Sequence, residues 1–191
     1  MEALIEDWKK VSPLEDPDTL ILCSTRADAS ALNALAQDAR RVSKVLGRAS
    51  IQVGRERLHP GDRVMFTKPS MAVGVLNGDL GKVMAVSRKG LKVKLDSGVV
   101  VKVHTDSYRD ICLGYAMTTH KAQGLTAERS FLCVHEAMLD REMAYVQASR
   151  AKGETRWYVS SELQSVTRKM EFSRQKLMAT SILGMENEPR L

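Results

Sequence analysis

With 191 residues, 43% of them hydrophobic and 27% charged, the chain has the composition of a folded globular protein, and wholesale disorder is excluded. Twenty-nine Lys and Arg against 23 Asp and Glu leave a net charge of +6, a balance that favours a polyanionic partner without naming one. Cys23, Cys112 and Cys133 are too few and too scattered for a disulfide framework or a CxxC zinc site, and no stretch approaches the roughly 18 apolar residues of a membrane span, so the expectation is a cytoplasmic protein with reduced thiols, no metal site and no membrane partner.

In chain order, ALIEDWKKV sets Leu4, Ile5, Trp8 and Val11 on one helical face, and Pro13 and Pro17 then break the helix into a linker. TLILCST, from Thr19 to Thr25, is a continuous apolar run of strand length, as expected of a strand covered on both sides. Thr25 to Asp28 reads as a capping box, and Leu32, Leu35, Ala39, Val42 and Leu46 follow as an apolar stripe for packing on a sheet.

From about residue 51 the periodicity becomes twofold, and turn pairs recur at Pro60-Gly61, Asn77-Gly78, Lys89-Gly90 and Ser97-Gly98. Strands are expected at RVMFT, KVMAVS, LKVKLD and VVVKVH, which together suggest a small β-barrel. Residues 56 to 105 hold nine Lys or Arg against four acids, so +5 of the net +6 falls in this segment. After Tyr108, strands at GYAMT, SFLCV and RWYVS alternate with helices near HKAQG and DREMAYVQASRA, and an α/β sheet resumes. A closing helix is expected from Glu162 to about Leu183, followed by a frayed tail. The expected division is 1–52 and 109–161 for one parallel-sheet domain, 53–108 for the inserted barrel, and 162–191 for the terminal helix and tail.

The corner GYAMTTHKAQGLT carries the most chemistry. A buried strand entering a helix leaves backbone N–H groups unpaired, and Thr118, His120 and Lys121 are side chains that can hold a phosphate there. The same residues also fit an N-cap, a partly buried polar group and a solvated lysine. Arg150, at the end of the helix in AYVQASRAK, fits either surface charge or a helix-end cation.

Taken together, THKAQG followed by AYVQASRAK resembles motifs V and VI of superfamily 1 DNA helicases. LILCSTRADASALN is similar to the motif IV region, GDRVMFTK and GVLNGDLGKV resemble the SH3-like barrel inserted in RecD-like helicases, and MLDREMAYVQASRAKGETR resembles the helicase part of conjugative relaxases of the TraA, TrwC and TraI kind. The likeness runs in the family's order from Thr19 to Ser160. It implies a second RecA-like motor domain with Arg150 as an arginine finger, Arg26, Gln123 and Gly124 beside ATP, and Thr118, His120 and Lys121 on single-stranded DNA; the barrel's basic residues, Lys68 and Arg63 among them, fit either a continuation of the strand path or a charge that keeps the barrel soluble. Many members carry an acid just after the motif V glycine, for the nucleotide sugar, where this chain reads Leu125-Thr126.

No GxxxxGK(S/T) loop occurs; Gly81-Lys82 has Leu76 and Val83 at the other key positions. ATP and Mg²⁺ are therefore expected to be held mainly by an N-terminal RecA-like partner domain, and this chain alone is expected to be inactive. The readings left open are a conjugative relaxase-helicase, a RecD-type repair helicase, and a non-catalytic nucleic-acid binding module.

Overall fold

The computed structural model describes residues 1–11, 18–159 and 167–168. The expected proline linker and almost all of the expected closing helix lie outside the described residues; Thr167 and Arg168 are helical.

Helix α1 (Glu2–Val11) buries Leu4, Ile5 and Trp8, as its spacing predicts. Strand β1 (Thr19–Cys23) is buried almost throughout and lies second in a four-stranded sheet of order β9-β1-β10-β11, with β9 Ala116–Thr118, β10 Ala127–Val134 and β11 Ala151–Val159. All three pairings are parallel, the arrangement of a RecA-like domain. Parallel strands need both faces covered, which is why β1 reads as an unbroken apolar run. Ile21 and Cys23 face α1 and α2, whereas Leu20 and Leu22 face a second cluster with Met117, Leu132 and Leu139.

Helix α2 (Arg26–Val42) begins with the expected capping box: the Asp28 backbone N–H donates to Thr25 Oγ1 at 3.0 Å, and the Thr25 N–H donates to Asp28 Oδ2 at 3.2 Å. The stripe expected along it is only partly in the core. Leu32 and Ala36 are buried, Leu35 and Ala39 pack from the side, and Val42 is 70% exposed. Polar residues take the vacated positions. Asn33 accepts from the Tyr115 and Ala116 backbone N–H groups and donates to the Ala116 carbonyl, each at 2.8 Å, so one side chain fixes the entry into β9.

Between α2 and β9 lies a hairpin, β2 (Ile51–Val53) with β3 (Glu56–Leu58), and an antiparallel sheet of order β7-β6-β5-β4-β8. Its strands are β4 Arg63–Phe66, β5 Leu80–Ser87, β6 Gly90–Leu95, β7 Val100–His104 and β8 Ile111–Leu113. The four expected strands are present, joined by β8, with β7 and β8 at the two ends of the hydrogen-bonded order. By pairing, the insert takes in residues on both sides of the expected 53–108 span. Asn77-Gly78 does not make a two-residue hairpin: it sits in the turn Leu76–Asp79 at the end of the long β4–β5 connection, with Gly78 at φ +95°.

Asp62 joins insert to sheet. Fully buried, it accepts from Tyr115 Oη at 2.6 Å, Gln37 Nε2 at 2.8 Å and the His59 N–H at 2.7 Å. The Arg40 guanidinium lies 5.4 Å from the Tyr115 ring centroid. Burial, with Asp62 beside it, pushes the Tyr115 phenol well above its ordinary range and keeps it a donor.

Candidate functional site

The carboxyl ends of β1 and β9 are neighbours, Cys23 pairing with Thr118. Ser24 and Arg26 follow the first strand, and Thr118, His120 and Lys121 lie at or just beyond the end of the second. These residues form one wall of a crevice of roughly 870 Å³; Glu56, Met65, Thr67, Asn77 and Cys112 of the insert form the other. Lys121 Nζ crosses it to donate to Asn77 Oδ1 at 2.9 Å. A neutral acceptor leaves the lysine's charge intact. Among the described residues Glu56 is the one acid in the lining, and burial, then nearby Asp62, pushes its carboxyl up toward the uncharged form. The Cys112 thiol, also in the lining, is pushed up by burial to about 11, which favours the protonated form at neutral pH. A crevice of mixed lining with a cationic rim, at the carboxyl ends of parallel strands, suits an extended anion.

Arg63 and Lys68 are elsewhere. Arg63 forms a bidentate pair with Asp96, and Lys68 Nζ lies 3.0 Å from Asp110 Oδ1; neither lines the crevice. The resemblance implies Arg26 beside Gln123, Gly124 and Arg150. The structure sets it in the crevice instead, because it follows the carboxyl end of β1, whereas Arg150 precedes the amino end of β11. The five residues of β1, at about 3.3 Å each, put roughly 16 Å between these edges.

At the amino edge, the expected HKAQG helix is a run of hydrogen-bonded turns from Thr119 to Gly124, which carries the chain back across the sheet. Gly124 ends it at φ +89°, a conformation that favours glycine. Arg150 is half-buried beside this turn. Its Nε donates to the Val146 carbonyl at 3.1 Å, Nη1 to the Leu125 carbonyl at 3.5 Å and Nη2 to Ser149 Oγ at 3.2 Å. Among the described residues every partner is neutral, which leaves the guanidinium charge for a ligand. Gln123 and Gly124 are exposed, and Tyr145 on the adjoining helix α3 (Arg141–Ala148) is 75% exposed.

Two residues at these edges are legible only in three dimensions. Gln147 of α3 is 1% exposed, donates from Nε2 to Thr119 Oγ1 at 2.9 Å, and leaves Oε1 with no protein hydrogen-bond partner. His135, just past β10, places Nε2 3.0 Å from Asp28 Oδ2. Burial alone would raise the Asp28 carboxyl, but hydrogen bonds from Thr25 and His135 and the charge of His135 outweigh it and hold the group below its ordinary value. A depressed carboxyl contributes stability that is present above the unfolded value near 3.9 and is lost as pH falls through the lower folded value. Asp28→Asn is therefore expected to lose about 1 kcal/mol in urea unfolding at pH 7, with the difference from the parent shrinking as pH is lowered below about 3.9.

No protein-family model matches the chain. It is 32% identical to the conjugal transfer protein TraA of Agrobacterium fabrum over 164 residues, covering 83% of this chain and 15% of that one. A probable TraA of Sinorhizobium fredii is 33% identical over 160 residues, covering 78% and 14%. The ATP-dependent RecD2 DNA helicase of Deinococcus radiodurans is 32% identical over 109 residues, covering 56% and 15%. The chain thus spans about 15% of the length of these relatives. In fold it matches Bacteroides Pif1 bound to ssDNA with a TM-score of 0.62 at 18% identity, over 97% of this chain and 49% of that one. Bacteroides Pif1 with ADP-AlF3 and ssDNA gives 0.56 at 20% identity, over 86% and 46%.

Proposed function

Given that the chain is a RecA-like domain of the RecD-like superfamily 1 helicase type, homologous to TraA conjugal transfer proteins and to RecD2, we propose that it is the second motor domain of an ATP-dependent DNA helicase within a conjugative relaxase-helicase. The observation that carries this reading is the segregation of charge to opposite edges of one sheet: Arg150 beside Gly124 at the amino edge, and Arg26, Thr118, His120 and Lys121 in the crevice at the carboxyl edge. The amino edge faces a first motor domain that supplies the phosphate-binding loop, and the exposed Tyr145 side of α3 adjoins that surface.

The fit to a nucleotide is partial and specific. Arg150 has an uncompensated charge and neutral, replaceable partners, whereas the turn beyond Gly124 offers Leu125 and Thr126 and no carboxylate for a sugar. ATP with Mg²⁺, held mainly by the partner domain, supplies the phosphoryl group whose developing negative charge Arg150 meets. The crevice takes single-stranded DNA: Thr118 and Thr67 can donate to phosphate oxygens, Lys121 and Arg26 neutralise them, and the insert forms the far wall. Arg26 belongs to this path by position; Arg63, paired with Asp96, and Lys68, beside Asp110, do not line it.

The test is binding of the chain to a dT oligonucleotide. His120→Ala with Lys121→Ala is expected to weaken it about tenfold at low salt and to flatten the dependence of log K on log salt by about 0.7 for each phosphate no longer neutralised. An unaltered slope would exclude the crevice.

A further inference from the structure

Strands β4 to β7 carry cations directly opposite one another. Arg63 pairs with Lys82, Lys82 with Lys94, and Lys92 with Lys102. Paired residues of an antiparallel ladder project from the same face, and Lys92 and Lys94, two apart on β6, share it. Lys92, Lys94 and Lys102 are exposed, while Leu91, Val93, Val101 and Val103 between them are buried. Like charges so opposed destabilise a sheet. Asp96 offsets Arg63, but among the described residues no carboxylate pairs with Lys92, Lys94 or Lys102.

This face is continuous with the crevice. Met65, two residues after Arg63, and Leu80, two before Lys82, are buried against the parallel sheet, and Met65 and Cys112 line the crevice wall. One surface therefore begins as the wall of the crevice and runs out across the insert as a strip of lysines. Among the described residues it carries no Phe, Tyr or Trp ring, because Phe66 and Tyr108 pack against each other inside the insert; its one ring is the His104 imidazole at the far edge, two residues beyond Lys102 on β7. Platforms for unpaired bases use several aromatic faces in succession, so a strip of ammonium groups with a single imidazole at its edge reads chiefly phosphates. A nucleic acid whose bases are already stacked and hidden is the ligand that needs nothing more.

We propose that Lys92, Lys94 and Lys102, with Lys82, bind the phosphate backbone of duplex DNA beside the crevice. That the duplex lies at the junction with a single strand rests on the function proposed above; the affinity of the strip for duplex does not.

The chain carrying Lys92→Ala, Lys94→Ala and Lys102→Ala is to be titrated with a blunt duplex and with a dT oligonucleotide between 50 and 200 mM salt. Duplex affinity is expected to fall at least tenfold at the lower salt, and its salt slope to drop by about 2.7, at about 0.9 for each phosphate released, with oligonucleotide affinity unchanged. Arginine at all three positions is expected to restore duplex binding. An unchanged duplex slope overturns the proposal. So does an equal loss for both ligands, which would mark a general field, and so does competition by anionic vesicles or polyglutamate as strong as that by duplex. The crevice variant at His120 and Lys121 is expected to weaken oligonucleotide binding as stated above and to keep the duplex, so failure of the crevice and failure of the strip give different results.

Discussion

Arg150→Ala, in this chain joined to a motor domain that carries a phosphate-binding loop, is expected to lower ATP hydrolysis by at least about 10³-fold, the smaller end of what arginine fingers contribute in nucleotide hydrolases. Binding of a dT oligonucleotide is expected to be unchanged, because Arg150 lies a strand's length from the crevice. Folding should be little affected, since the guanidinium meets only two carbonyls and one hydroxyl at a partly exposed edge. Lysine at this position keeps the charge and loses the planar fork, so an intermediate rate is expected. Steady-state hydrolysis with and without DNA provides the measurement, and near-normal turnover in the alanine variant rules out the finger.

The second large effect belongs to Asp62. Alanine there removes the acceptor of three donors at once: the Tyr115 phenol, the Gln37 amide and the His59 backbone N–H. The phenol and the His59 N–H would remain buried or partly buried without this acceptor, and the Gln37 amide would keep only the Arg57 carbonyl, at a cost of about 3 to 5 kcal/mol in unfolding free energy. Asn keeps one carbonyl oxygen and should fall between. Urea denaturation reads the difference, and a loss below about 1 kcal/mol would mean that the network is not what holds the insert to the sheet.

Much of the framework was legible because its rules are local. The unbroken run Leu20–Cys23 marks a doubly covered strand, Thr25 and Asp28 sit three apart as a capping box requires, and the alternation through Leu91, Val93 and Leu95 gives a strand with one dry face. What was not legible depends on partners distant in the chain. Val42 continues the helical stripe, yet the sheet does not extend under it, while Asn33 is buried because β9, 83 residues later, presents backbone groups that need it. Arg26 and Arg150 resemble two contacts to one nucleotide until strand direction is known. A parallel sheet then sends one to the carboxyl edge and the other to the amino edge. The cationic rows on the insert also needed register, since spacing along β6 alone cannot say that Lys102 stands opposite Lys92.

Gln147 spans that separation. Its amide ties the helix that precedes Arg150 to Thr119, the residue flanked by Thr118 and His120. Any tilt of that helix which re-aims the guanidinium must drag the threonine along or break the tie, so one amide is a mechanical linkage between the two edges of the sheet to which the proposed function assigns nucleotide and strand.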